Sequence, residues 1–127
     1  MNPYIATTEN VTVTVRPVYL DGETDMMARK FVFAYSVRIE NHRIERVQLL
    51  RRHWYIRDGA GNLREVEGEG VVGQQPIIPP HGWHDYVSNC ILNTFEGSME
   101  GTYLMRRPNG EVFEVLIPRF ALRAAAN

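Results

Sequence analysis

The fold of this chain is decided by residues 31–40, which read FVFAYSVRIE. Large apolar side chains occupy every second position, and small or polar side chains lie between most of them. Successive side chains of a β-strand point to opposite faces, so this period of two predicts a strand with one buried face. The predicted core face consists of Phe31, Phe33, Tyr35, Val37 and Ile39.

Further segments on both sides of this strand have the same periodicity or the same strand-forming composition. In the segment that follows it, Leu50, Trp54 and Ile56 are predicted to point inward. Arg52 has the same alternation, so its charged side chain must be accommodated in some way other than burial in the apolar core. Pro17 lacks an amide donor and therefore predicts an edge position or a bulge. Further strands are predicted over residues 11–15, 18–20, 47–57, 63–67, 84–92, 98–107 and 113–117.

Turn signals separate these strands. Residues 58–62, DGAGN, are typical of a hairpin turn, and Asn109-Gly110 predicts a type I′ turn because both residues tolerate positive φ. The polar residues 21–28 are predicted to form a loop, and no segment has helical periodicity. Seven or eight short antiparallel strands without helices predict an all-β sandwich or barrel.

Composition and charge narrow the class of protein. The 127 residues are 44% hydrophobic and 23% charged, which predicts one globular domain over residues 1–127. The formal net charge is −1, whereas nucleic-acid-binding proteins usually carry a basic excess, so no nucleic-acid partner is expected. The nearest cluster, Arg51, Arg52 and Arg57, is interpreted as a solvated strand face.

The compartment is predicted from features that the sequence lacks. Cys90 is the sole cysteine, so an intramolecular disulfide cannot form. Residues 1–10 do not resemble a signal peptide, and no apolar run approaches the roughly 18 residues needed to span a bilayer. We therefore expect a cytoplasmic protein with no membrane partner.

The most distinctive local motif is GEGVVG over residues 68–73, which matches GxGxxG. In dinucleotide-binding folds this motif follows a strand and opens a helix whose N-terminus holds the phosphates. Here the prolines at positions 76, 79 and 80 follow, and they preclude a helix of useful length. The dinucleotide-binding interpretation therefore fails on its context.

Two interpretations of the motif remain. The amides around Gly68, Gly70 and Gly73 could form an anion-binding nest for pyrophosphate or a nucleotide, with Arg52 as a cationic partner. The charge of Glu69 opposes an anion unless its side chain points away. Alternatively, the glycines serve only the backbone geometry of a bulge or a corner between sheets.

The neighbouring segment contains residue types that could bind a metal or a partner. His81, His84 and Asp85 are weak candidates for a divalent-metal site, with an ordinary surface turn as the alternative. Trp83 and Tyr86 are candidate partner-binding residues, because an aromatic side chain on a rigid loop can anchor a partner. Packing beneath the loop is the other interpretation of Trp83.

Catalytic groups are not recognisable in the sequence. Cys90 falls within a predicted strand, where a lone cysteine is usually a small core side chain. The serines lack a GxSxG motif, and the carboxylates form no recognisable pair. We therefore expect a protein that is not an enzyme and that carries no cofactor.

Several short patterns extend beyond what strand formation requires. They are FVFAYxVxIxN at 31–41, RHW at 52–54, GxGVVGxxP at 68–76, PxxG at 79–82, YxS at 86–88 and TxxGxMxGxYxM at 94–105. Together they resemble the ApaG family of bacterial proteins, over about residues 4–120. The resemblance implies an immunoglobulin-like, fibronectin type III-like β-sandwich, in agreement with the predicted strands.

The resemblance also implies a setting for the function. ApaG proteins are typically encoded beside a diadenosine tetraphosphate hydrolase and are associated with cobalt tolerance and magnesium efflux. The same domain is appended to an F-box protein and to a polymerase-interacting protein in eukaryotes. Two hypotheses result: a protein–protein interaction module that uses residues 68–83, and a pyrophosphate or nucleotide receptor that uses residues 68–73.

Overall fold

The computed structural model describes residues 2–125, which form two antiparallel β-sheets packed face to face. The part of the chain described has one short helix, a single 3-10 turn at Asp21–Glu23. It contains no helix long and apolar enough to span a membrane. The strands are β1 (Tyr4–Thr8), β2 (Val11–Tyr19), β3 (Phe31–Asn41), β4 (Val47–Asp58), β5 (Leu63–Glu69), β6 (Ile77–Ile78), β7 (Trp83–Leu92), β8 (Glu96–Arg106) and β9 (Val112–Arg123).

The order of the strands places four edges around the sandwich. The first sheet has the order β1-β2-β3-β7, and the second has the order β5-β4-β8-β9, with β6 paired to one end of β4. The predicted all-β sandwich is therefore confirmed. The strands β1 and β6 were not predicted from the sequence, and β6 is only two residues long.

The core lies between the two sheets. All five residues of the predicted core face of β3 are buried, as is the valine face of β2. At its centre three aromatic rings meet: Tyr35 of the first sheet lies 5.3 Å from Trp54 and 5.7 Å from Phe120, measured between centroids. Trp54 and Phe120 are 5.9 Å apart and nearly perpendicular, an arrangement that aromatic pairs favour.

A β-bulge in β4 corrects the predicted inward face of that strand. The pairing with β8 shifts register between Leu49 and Arg51, so Leu50 is the extra residue. Leu49 is buried and Leu50 only half-buried, so the prediction that Leu50 belongs to the core was wrong. Because the bulge inserts one residue, the inward face continues with Arg52 and Trp54.

A second correction concerns the turn at Asn109-Gly110. Only Gly110 has a positive φ, of 89°, whereas a type I′ turn needs two such residues. Pro108 precedes them, and its fixed φ favours a type I turn that Gly110 then closes. Two successive positive φ angles occur instead in the β1–β2 connection, at Glu9 (47°) and Asn10 (64°), and again at Val72 and Gly73.

Pro17 lies at an edge position, one of the two positions predicted from its missing amide donor. It lies inside β2 and pairs with Tyr35 of β3. On the other side of β2 the pairing with β1 ends at Val15, opposite Tyr4. Pro17 is therefore at a local edge of the sheet, where a missing donor interrupts no ladder.

Candidate functional site

The glycine–proline loop, residues 68–83, leads from the end of β5 to the start of β7. Its glycine part is a tight turn, in which Val71 and Gln74 exchange backbone hydrogen bonds of 2.8 and 3.0 Å. The two residues between them, Val72 and Gly73, have φ angles of 48° and 75°. At Gly70, with φ 64°, a Cβ atom would overlap the Gln74 carbonyl oxygen. Backbone geometry alone therefore accounts for Gly70 and Gly73.

The amides of this turn are largely engaged within the chain. A nest for pyrophosphate would need several of the five amides from Gly70 to Gln74 to point into one cavity. Three of them donate to backbone carbonyls: Gly70 to Leu50 at 2.8 Å, Val71 to Gln74, and Gln74 to Val71. The arrangement is that of a structural corner more than that of an anion nest.

Arg52 ties this corner to β4. Its Nη1 donates to the carbonyl oxygens of Glu69, at 3.0 Å, and Gly70, at 2.9 Å. The guanidinium lies against Gly68, where a Cβ atom would be 2.9 Å from Nη2. The structure thus brings together Arg52, Gly68 and Gly70, which sequence analysis grouped as a candidate site, and the contacts among them hold the loop in place.

A cavity of about 440 Å³ opens between this corner and β7. Arg52 and Val72 line it from one side, and Tyr86 and Ser88 line it from β7. Tyr86 points inward, and its hydroxyl forms a hydrogen bond with the hydroxyl of the buried Tyr103. Burial raises the pKa of both tyrosines, so both hydroxyls are protonated at neutral pH. The structure therefore places Tyr86 with the core and apart from Trp83.

We expect Tyr86→Phe to lower the free energy of unfolding by about 2 kcal/mol, because the buried Tyr103 hydroxyl loses its partner. The double variant Tyr86→Phe, Tyr103→Phe is expected to be no less stable than Tyr86→Phe, since both hydroxyls are then gone. Urea unfolding of the wild type, both single variants and the double variant measures the coupling. Additive losses would contradict the assigned hydrogen bond.

Trp83 is exposed at the end of the loop and the start of β7. Its side chain is 57% exposed, and the Arg38 guanidinium lies 5.2 Å from its ring centroid. Arg38 is held in turn by Asp85, with Nε–Oδ1 and Nη2–Oδ2 distances of 2.8 and 2.9 Å. More than half of each of three further apolar side chains is also exposed: Val72, Ile77 and Val87.

The three weak metal candidates do not converge. His84 and Asp85 are consecutive in β7, so their side chains point to opposite faces of the sheet. The Asp85 carboxylate accepts two hydrogen bonds from Arg38, which lower the pKa of Asp85. Within residues 2–125 no group of three histidine, cysteine or acidic side chains is placed to hold a metal ion.

A sequence-family comparison connects this geometry to known proteins. The model of the family described as the ApaG domain matches residues 22–107. The chain belongs to the ApaG family. The match runs from the 3-10 turn through β8, so it includes Arg52, the whole glycine–proline loop and Trp83.

Individual ApaG proteins are similar over nearly the whole chain. The ApaG proteins of Mesorhizobium japonicum and Rhodospirillum centenum are 46% and 47% identical over 119 residues, which is 94% of this chain and 92% of each relative. A crystal structure from Bordetella pertussis, described as an ApaA protein, is 42% identical with a TM-score of 0.86. The aligned region spans 95% of this chain and 97% of the Bordetella pertussis chain.

In this ApaG protein the second half of the loop depends on Asn41, the last residue of β3. Asn41 is fully buried, and its Nδ2 donates to the carbonyls of Glu45, Ile78 and Pro79, at 2.9, 3.1 and 3.3 Å. Its backbone also bonds to His81 and Gly82. The burial of Asn41 could have been predicted from the sequence, because position 41 continues the alternation that places positions 31–39 of β3 on the core face.

Proposed function

We propose that this ApaG protein is an interaction module without catalytic activity, which presents the glycine–proline loop and the adjoining end of β7 to a partner protein. One observation carries the proposal: Trp83 exposes 57% of its side chain at the end of a loop that is fixed from both sides. Interface hot spots are enriched in tryptophan, and a pre-ordered loop loses little entropy when it binds.

Rigidity of the loop supports this role. Arg52 holds its first part through the carbonyls of Glu69 and Gly70, and Asn41 holds its second part through Pro79 and Gly82. The exposed apolar side chains Val72 and Ile77 lie on the loop between these two anchors. Exposed apolar groups on a rigid support are typical of interaction surfaces.

A pyrophosphate or nucleotide receptor is the alternative proposal. In its favour, the Arg52 guanidinium lines the cavity beside the glycine corner. Against it, three of the five amides that such a receptor would use already donate to backbone carbonyls. The association with diadenosine tetraphosphate metabolism that the resemblance to the ApaG family implies also motivates this alternative.

Site-specific photocrosslinking tests the proposal. We expect benzoylphenylalanine at position 83 to give discrete protein adducts in bacterial cells, at least tenfold stronger than the same group at position 116. Leu116 is a matched control, because it is 56% exposed but lies in β9 of the other sheet. Once the adduct is identified, Trp83→Ala is expected to weaken that complex at least tenfold. Equal adduct patterns from both positions would contradict the proposal.

A further inference from the structure

The edge of β7 offers a row of backbone groups that no neighbouring strand uses. The amide of Asn41 in β3 donates to the carbonyl of Gly82, so even-numbered residues of β7 direct their backbone groups towards β3. Odd-numbered residues therefore direct both N–H and C=O to the open edge. Arg64 agrees with this assignment, since its Nη2 lies 3.5 Å from the Ile91 carbonyl. The residues whose backbone groups face this edge are Trp83, Asp85, Val87, Asn89 and Ile91, and of these groups the Ile91 carbonyl already accepts from Arg64.

The other three edges have features that discourage strand addition, whereas β7 has few. The β1 strand has five residues, β5 carries three glutamates, and β9 contains Pro118 and meets β1 through a Leu116 N–H bond to Thr8 Oγ1. The ten residues of β7 include no lysine, arginine or proline, and the one carboxylate, of Asp85, is bound by Arg38. Long edges without such features readily pair with another chain.

The cleft between β7 and β5 contains two arginines and two cavities. Arg52 lines the cavity of about 440 Å³ beside Ser88, and Arg64 lines one of about 300 Å³ beside Ile91. Nη2 of Arg64 lies 4.0 Å from the Cys90 sulfur. Neither guanidinium forms an ion pair with a carboxylate in the part of the chain described. Asp58 also lines the cavity beside Arg64, where its carboxylate accepts hydrogen bonds from the Ala60 and Asn62 amides. Among residues 2–125 no acidic side chain lines the cavity beside Arg52. The cleft side of β7 therefore has two guanidinium groups against one carboxylate.

We propose that an extended, acidic segment of a partner protein adds to β7 as an antiparallel strand, with carboxylates opposite Ser88 and Cys90. Residues opposite each other in antiparallel strands share a face, so these two side chains would enter the cleft beside Arg52 and Arg64. Backbone hydrogen bonds supply affinity in such strand addition, and the two arginines supply specificity for carboxylates. The inference rests on the proposed interaction function, because it names the chemistry of the partner.

Two synthetic nine-residue peptides test the chemistry. Both are acetylated and amidated, and both alternate threonine with cleft-facing residues: valine, glutamate, glutamate, valine in one, and valine, glutamine, glutamine, valine in the other. We expect the acidic peptide to bind at least tenfold more tightly, as measured by amide NMR titration. At saturation, hydrogen exchange of the Asp85, Val87 and Asn89 amides should slow at least tenfold, because these amides gain acceptors.

Protein variants test separately the backbone donors of the β7 edge and the charges of the two arginines. Val87→Pro removes one open-edge donor without removing a bond to β3, and it should weaken binding at least tenfold, whereas Val87→Thr keeps the donor and should bind normally. Replacing Arg52 and Arg64 with glutamine should abolish the preference for the acidic peptide. Arg57→Gln is the control, since Arg57 is an exposed residue of β4 outside the two cavities.

Each contrary outcome overturns the inference in an identifiable way. Equal binding of the two peptides would overturn the acidic specificity, and no binding of either at millimolar concentration would overturn strand addition. Concentration-dependent shifts at β7 in the protein alone, with a dimer in sedimentation, would make a second copy the occupant. The photocrosslinking result at position 83 is independent of these peptides, so the proposed function can stand when this inference fails.

Discussion

Replacing Asn41 with alanine is expected to lower the free energy of unfolding by about 4 kcal/mol. The side chain is fully buried and joins three parts of the chain, since Nδ2 donates to the Glu45, Ile78 and Pro79 carbonyls while Oδ1 accepts from the Arg43 amide at 2.9 Å. Alanine leaves these groups without their partner and creates a cavity as well. Equilibrium unfolding in urea measures the loss.

The matched control is Asn109→Ala, at an exposed turn where Oδ1 accepts one bond, from the Glu111 amide at 2.9 Å. We expect it to cost less than about 1 kcal/mol, because water can replace that bond. Asn41→Asp distinguishes a lost donor from a lost volume: it keeps the shape but places a carboxylate among carbonyl oxygens. If Asn41→Asp were as stable as the wild type, the donor role of Nδ2 would be refuted.

Gly101→Ala is expected to destabilise the second sheet by about 3 kcal/mol. Gly101 lies in β8 between β4 and β9, next to the register shift after Met99. A Cβ atom there would overlap the His53 carbonyl oxygen and lie 3.2 Å from the Cα of Trp54. Both are backbone atoms of the adjacent strand, so relief requires the strands to move apart.

Thermal and urea unfolding of Gly101→Ala measure this effect against Gly22→Ala. At Gly22 the added Cβ meets nothing within 4 Å, and φ is not positive. That substitution is expected to leave stability unchanged or to raise it by about 0.5 kcal/mol, because alanine restricts the unfolded chain. Similar midpoints for the two variants would show that β8 and β4 have room to separate at no cost.

The strands that the sequence predicts well are those with a strong and unbroken alternation. In β3, ten consecutive residues alternate, and every residue of the predicted core face is buried. Leu50 was misassigned because a bulge changes the parity of β4, and a bulge depends on how the partner strand β8 is placed. The strand β6 was missed because two residues carry no periodicity; it forms where the second half of the loop meets β4.

The candidate site was partly predictable. The GxGxxG motif and Arg52 were identified from residue types, and the structure brings them into contact. Their roles were not predictable, because whether an amide is free depends on which carbonyl the fold places beside it. The amide of Gly70 illustrates this, since its acceptor is the Leu50 carbonyl, in β4. Likewise, Tyr86 packs against the core because its hydroxyl forms a hydrogen bond with that of the buried Tyr103.

The sequence by itself determined the all-β class, the core face of β3, the family, and the segment where a functional surface is expected. These depend on local alternation, on turn residues and on motifs that are written along the chain. Only the tertiary structure decided that β7 is an edge strand, that Arg52 and Arg64 face the cleft beside it, and that Asn41 holds the loop. Those features arise from pairing between distant segments, and the pattern of one segment does not specify its neighbours.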